Sequence, residues 1–291
     1  MTIRIATRGS ALAKAQAGQV AELLGGAELV EVSSDGEVGD KERFVRGVER
    51  ALLAGEADIG VHSAKDLPAE MAEGLVIAAV PAREDPADVW IGVGDSLEGV
   101  PEGARVGTAS LRRRAQLLAA RPDLEVDELH GNVDTRLRKL AEGDLDAIVL
   151  AAAGLRRLGR EAEASFAIGS EAMTPAAGQG ALVLQARSDD TGAVEAAAAI
   201  GDETALRELT AERAVVALLD ATCATPIGVH ARLDAERLEI EAFVGLPDGD
   251  EWIRDRVEGQ ASEPAAAGAL LAERLLGAGA RDILDRAEEL A

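Results

Sequence analysis

Apolar and polar positions alternate along the chain in two rhythms, short apolar runs and longer amphipathic stretches. Residues 3–6 read as a short buried strand, and Ser10 caps a helix that continues to about residue 24. Residues 29–32 form a second strand, 44–54 a helix, and 59–62 and 75–80 further strands. Residues 33–43 are polar and hold glycines, so they read as a mobile loop. Strands separated by helices predict a mainly parallel sheet covered by helices.

Residues 81–88, Pro-Ala-Arg-Glu-Asp-Pro-Ala-Asp, read as a linker. A second α/β unit follows, with strands at 89–93, 105–107, 124–126 and 147–150. Its helices run from Ser110 to about 120, over 133–141, and from Ala153 onward. Residues 173–180 look like another crossing, and the strand at 181–185 returns to the first unit. From about Glu203 the pattern changes to a helix, a loop holding Cys223, three strand-like runs (229–233, 238–244, 252–257) and a helical region over 265–289. The expected fold is therefore α/β. A discontinuous first domain (1–82 with 181–200) and a second (87–175) flank a hinged cleft, and a small α+β domain (203–291) follows. Clefts of this kind favour ligands.

Charge changes the picture. Among 291 residues, 53 acids oppose 30 bases, a net charge of −23. That balance argues against nucleic acid and against anionic membrane surfaces as partners. Aromatic residues are only 2% of the chain, which removes a base-stacking platform. One cysteine and three histidines exclude a disulfide framework and a multi-cysteine or histidine-rich metal centre. No apolar N-terminal leader and no membrane-length apolar run is visible, so a cytoplasmic location is expected. Scarce Lys beside abundant Asp and Glu fits a protein working in concentrated salt, or a GC-rich genome; neither speaks to function.

In so acidic a chain, stretches without acids stand out. Residues 1–21, 105–122 and 150–160 contain Arg, and the first also Lys14, but no Asp or Glu. The strongest is Gly107-Thr108-Ala109-Ser110-Leu111-Arg112-Arg113-Arg114, which follows a strand and opens a helix. Exposed N–H groups and the helix dipole favour an anion there, and adjacent guanidinium forks add bidentate recognition. The plainer reading is a solvated helix face. Thr7-Arg8-Gly9-Ser10 repeats the logic, although Ser10 could simply be a cap. His62-Ser63-Ala64-Lys65-Asp66-Leu67-Pro68 places a cation and a carboxylate at a strand end, where they could serve a ligand crevice or form a surface ion pair. Cys223, in Ala221-Thr222-Cys223-Ala224-Thr225-Pro226-Ile227-Gly228, is either a small buried hydrophobe or a reactive thiol. The sequence contains neither a P-loop nor a dinucleotide-binding glycine motif.

Taken together, these segments resemble the hydroxymethylbilane synthase (porphobilinogen deaminase) family. The resemblance adds Gly131-Asn132-Val133-Asp134-Thr135-Arg136, Ala153-Gly154-Leu155-Arg156-Arg157-Leu158-Gly159, Pro175-Ala176-Ala177-Gly178-Gln179-Gly180 and the Glu212-Arg213 region, all in order along the chain. It implies two domains similar to periplasmic binding proteins plus a third domain. It also implies head-to-tail condensation of four porphobilinogen molecules, with loss of ammonia, on a dipyrromethane cofactor joined to Cys223 by a thioether. By the same resemblance Asp66 is the catalytic carboxylate, stabilising cationic charge and moving protons. Lys65, Ser110, Arg112, Arg113 and Ser10 would bind the cofactor, and Arg8, Arg136, Arg157, Phe44 and Lys41 the substrate. A monomer is implied. Three positions depart from the family pattern: His130 where Arg is usual, Ala221-Thr222 where Gly-Gly is common, and Glu37 at a loop position often held by Lys. The rival reading is a small-carboxylate binding module related to solute-binding proteins.

Overall fold

The computed structural model describes residues 2–32, 41–68, 71–222 and 225–290, with residues 41–44 described as backbone only. The chain begins β1 (Arg4–Arg8), α1 (Ala11–Leu23), β2 (Glu28–Val32), α2 (Lys41–Leu53), β3 (Ile59–Ser63) and β4 (Leu75–Ala79). It crosses to β5 (Asp88–Gly92), β6 (Arg105–Gly107), α3 (Leu111–Ala120), β7 (Glu125–Asp127), α4 (Val133–Ala141), β8 (Ala147–Ala151), α5 (Ala152–Arg157) and β9 (Phe166–Ile168). A second crossing leads back to β10 (Leu182–Arg187) and α6 (Thr191–Ala198).

The two sheets share one plan, with orders β2-β1-β3-β10-β4 and β7-β6-β8-β5-β9. In each, one strand opposes the rest: β10 is antiparallel to β3 and β4, and β5 to β8 and β9. The mainly parallel expectation therefore needs correction at the strand that each crossing delivers. That strand enters from the neighbouring domain without a covering helix, and antiparallel pairing requires none. The central strands are apolar on both faces because helices cover both; β10, for example, buries Leu182, Val183, Leu184 and Ala186. Gly60 on β3 admits α2 closely, since a Cβ there would lie 2.6 Å from Val48 Cγ1.

The third domain holds α7 (Glu203–Leu218), β11 (Ile227–Asp234), β12 (Arg237–Gly245), β13 (Trp252–Gln260), α8 (Pro264–Gly277) and α9 (Ala280–Glu289). Its antiparallel meander buries Val229, Ile240 and Val244 against Val215 of α7 and Leu271 of α8. The single helical region expected at the end is two helices, broken at Gly279 with φ +101°. β9 and α6 escaped the sequence reading because one is three residues long and the other is an alanine-rich run without a clear period.

The segment read as a loop at 33–43 is helical from Lys41; the remainder lies outside the described residues. The supposed linker at 81–88 is built into the structure. It runs beside the second crossing, with Glu84 N–H donating to Gly180 O (3.2 Å) and Gln179 Nε2 to Pro86 O (2.6 Å). Its Arg83 side chain and Asp88 are buried.

Candidate active site

Three strand ends bring the candidate chemistry to one side of the two sheets. β1 ends at Arg8, which is half-buried, and Ser10 then caps α1 by accepting the Ala13 N–H at 3.2 Å. β3 runs directly into a single 3-10 turn, Ala64–Asp66. Gln16 of α1 holds the end of β3 by donating to Ser63 Oγ at 2.7 Å. Ala64 N–H donates to Ala181 O at 3.0 Å, so the second crossing anchors the turn. Gly178 (φ +72°) lies so close that a Cβ would sit 2.7 Å from Ala64 Cβ and 2.9 Å from Lys65 N. Asp66 stands half-buried at the end of this turn. Lys65 Nζ donates to Gln179 Oε1 at 3.4 Å. Loss of hydration among packed protein atoms, followed by repulsion from Arg113, pulls its ammonium down to about 8, although part of the side chain remains exposed.

β6 supplies the third end. Ser110 caps α3 and accepts the Arg113 N–H at 3.5 Å. Arg112 and Arg113, in the first turn of α3, are buried rather than solvated. Both meet Asp88, the first residue of β5 and itself 0% exposed: Arg112 Nη1 lies 2.7 Å from Oδ2, and Arg113 Nη2 2.8 Å from Oδ1. Arg113 Nε adds a 2.9 Å bond to Oδ1. Arg112 also donates to Thr174 O (2.8 Å) and Arg113 to Val149 O (2.9 Å). Burial alone would raise the Asp88 carboxyl, but the two guanidiniums hold it well below the usual carboxylate range.

Arg136 on α4 is half-buried, and burial together with Arg113 lowers its guanidinium to about 10. Arg157, at the end of α5, donates Nη2 to Gly180 O at 2.7 Å, and burial lowers its pKa. Its Nε is buried and makes no hydrogen bond among the described residues. His130 is exposed, with Nε2 2.6 Å from Glu128 Oε1.

The third domain reaches the same place. Arg213 of α7 donates to the carbonyls of Leu67 (3.3 Å) and Pro68 (2.8 Å), just beyond Asp66. Its neighbour Glu212 accepts from Arg83 Nη1 (2.7 Å), Gly178 N–H (2.6 Å) and Ala231 N–H (2.8 Å), binding both crossings to α7. At the start of β11, Gly228 packs on the second crossing, where a Cβ would lie 2.5 Å from Thr174 O, the carbonyl that Arg112 holds. Cys223 lies outside the described residues, as do the side chains of Lys41 and Phe44 and all of Glu37. Beside Cys223, Thr225 N–H donates to Thr222 O at 3.1 Å.

The structure thus brings Lys65 within electrostatic reach of Arg112 and Arg113, and Arg136 within that of Arg113, with Asp66 on the same turn as Lys65. Sequence reasoning missed Asp88, Gln179 and Arg83. Each sits in a crossing that looked like a linker or a plain turn. The available signal was an excess of charge in a proline-containing connector.

Fold and site define an α/β protein with two sheets of one plan and a small C-terminal sheet domain, in which Arg112, Arg113 and Asp88 form a buried charged cluster. Residues 3–195 match the family model described as "Porphobilinogen deaminase, dipyromethane cofactor binding domain", and residues 206–277 the one described as "Porphobilinogen deaminase, C-terminal domain". A relative from Syntrophus aciditrophicus named porphobilinogen deaminase is 43% identical, covering 99% of each chain. One of the same name from Thiobacillus denitrificans is 44% identical over 98% of each. Among solved structures, a TRAP periplasmic solute binding protein from Desulfovibrio salexigens aligns at TM-score 0.43 and 10% identity, covering 70% of this chain and 73% of that one. The chain belongs to the porphobilinogen deaminase family and is a transferase; the rival reading as a carboxylate-binding module is not favoured.

Proposed function

We propose that this chain condenses four porphobilinogen molecules head to tail, with loss of ammonia, to make hydroxymethylbilane, using Asp66 as the acid–base group. The observation that carries the assignment is that buried Arg112 and Arg113, with half-buried Lys65 nearby, share a single fully buried carboxylate, Asp88. Burying several cations against one anion is costly unless further anions arrive. Each porphobilinogen unit brings an acetate and a propionate.

The dipyrromethane cofactor of the family fits this donor set, because it too is a polycarboxylate. The buried Nε of Arg157, without a hydrogen bond among the described residues, and the guanidiniums of Arg112 and Arg113 are suited to its acid groups. Ser10 and Ser110, at helix starts, add hydroxyls and N–H groups, and Lys65 a further cation. When bound, through a thioether to Cys223, the cofactor supplies an electron-rich pyrrole carbon as the primer. Arg8, Arg136, Arg157, Lys41 and Phe44 hold and orient the incoming substrate. Asp66 stabilises positive charge on the reacting substrate ring and accepts or returns a proton at its carboxyl oxygens.

Support for the domain limits 1–82 with 181–200, 87–175 and 203–291 comes from the three separate sheets. The two crossings are the hinge in this reading, and the protein acts as a monomer in the cytoplasm. Among the described residues no helix is long and apolar enough to cross a membrane.

Intact-mass measurement of the purified chain tests the reading. The wild type is expected to carry an adduct of two pyrrole units that is absent from Cys223→Ala. An unmodified wild-type chain with full activity refutes it.

A further inference from the structure

We propose that Asp88 is a positioning residue for the cofactor arginines, an internal counter-charge that keeps Arg112 and Arg113 buried and correctly aimed until ligand carboxylates join them. The inference rests on the cofactor reading above. Asp88 is 0% exposed and sits behind both guanidiniums, one carboxyl oxygen to each, at 2.7 and 2.8 Å. No other carboxylate among the described residues is paired with either arginine.

The position is mechanical as well as electrostatic. Asp88 ends the first crossing and begins β5. Thr174, on the second crossing, accepts from Arg112 through its carbonyl and donates its N–H to Gln116 of α3 at 2.7 Å. The start of α3 is thus clamped to both crossings, and the Asp88 pairs decide which way the two forks can turn. The contacts of Arg112 with Thr174 and with Asp88 are both made through Nη1. A guanidinium has five N–H donors, so Arg112 can engage Thr174, Asp88 and a ligand carboxylate together.

Removing Asp88 leaves two buried guanidiniums and a nearby Lys65 without their anion, which is more damaging than an empty space of the same size. The penalty is greatest before any cofactor is attached and shrinks once its carboxylates share the cations. A residue that merely filled space would cost the same in both states.

The test is Asp88→Asn, made in the wild type and in Cys223→Ala, which cannot form the thioether. Melting temperatures and intact masses are measured for all four chains. We expect Asp88→Asn to lower the melting temperature of the Cys223→Ala chain at least twice as far as that of the loaded chain. We also expect a smaller loaded fraction by mass. If Asp88→Asn loads too little protein to compare, Asp88→Asn with Arg113→Met in the Cys223→Ala background replaces it. Removing the surplus cation should restore more than half of the lost melting temperature. Equal losses in loaded and unloaded chains overturn the proposal, as do strictly additive losses in the double variant. A wild type without any adduct sinks the cofactor reading instead, so the two failures are distinguishable.

Discussion

Glu212→Gln isolates the contact that joins the third domain to both crossings. The Glu212 side chain is fully buried, and the Arg83 side chain opposite is 8% exposed. Burial alone would raise the Glu212 carboxyl, but Arg83 and then His230 overcome it and hold the group below its usual range. The amide keeps the shape, removes the charge, and turns an NH2 group toward donors from Arg83, Gly178 or Ala231. Breaking one side of a buried pair costs about 3–5 kcal/mol. For a chain of this size that corresponds to a melting temperature roughly 5–8 °C lower. Circular dichroism melts at one scan rate provide the assay. Arg83→Met and the double variant complete the cycle, in which the double should lose clearly less than the sum of the singles. The pH dependence follows from the direction of the shift. A carboxyl depressed in the folded state contributes fully above its unfolded value near 4.5 and loses that contribution as pH falls below it. Glu212→Gln should flatten this acid limb. A drop under 2 °C, or an acid limb unchanged from wild type, would refute the reasoning.

Asp66→Ala should leave the melt almost unchanged, because the side chain is half-buried, and lower kcat by at least about 100-fold; comparable turnover removes Asp66 from its role. His62, buried with Nε2 3.1 Å from Gln185 Oε1, is lowered by burial from 6.5 to about 4. The unfolded chain therefore takes up a proton that the folded chain refuses, and stability should fall by roughly 3 kcal/mol between those pH values. Urea titrations at pH 7 and pH 4 should show this loss reduced in His62→Gln. Gly178→Ala meets a positive φ together with Ala64 and Lys65 at under 3 Å. It should lower both melting temperature and kcat/KM; a chain that keeps wild-type kcat/KM would show that the turn carrying Asp66 tolerates displacement.

How much was legible in advance depended on how local each cause is. Ser10, Ser110 and Asn132 cap their helices through N–H groups three residues away, so the starts of α1, α3 and α4 could be read from neighbouring residues. Apolar periodicity located most strands, because each side chain's face follows from its position in the strand. Acid-free stretches drew the sequence reading to Arg8, Arg112, Arg113 and Arg157, and two of these, Arg112 and Arg113, are buried against one carboxylate. Tertiary structure decided the rest. The reversed directions of β5 and β10 depend on where each crossing enters a sheet, which no local pattern encodes. Asp88 meets Arg113 across 25 positions and Glu212 meets Arg83 across 129, so their burial and charge state exist only after the chain has closed on itself. A sequence window shows which side chains carry charge; the folded neighbourhood sets which of those charges neutralise one another and which remain to hold a ligand.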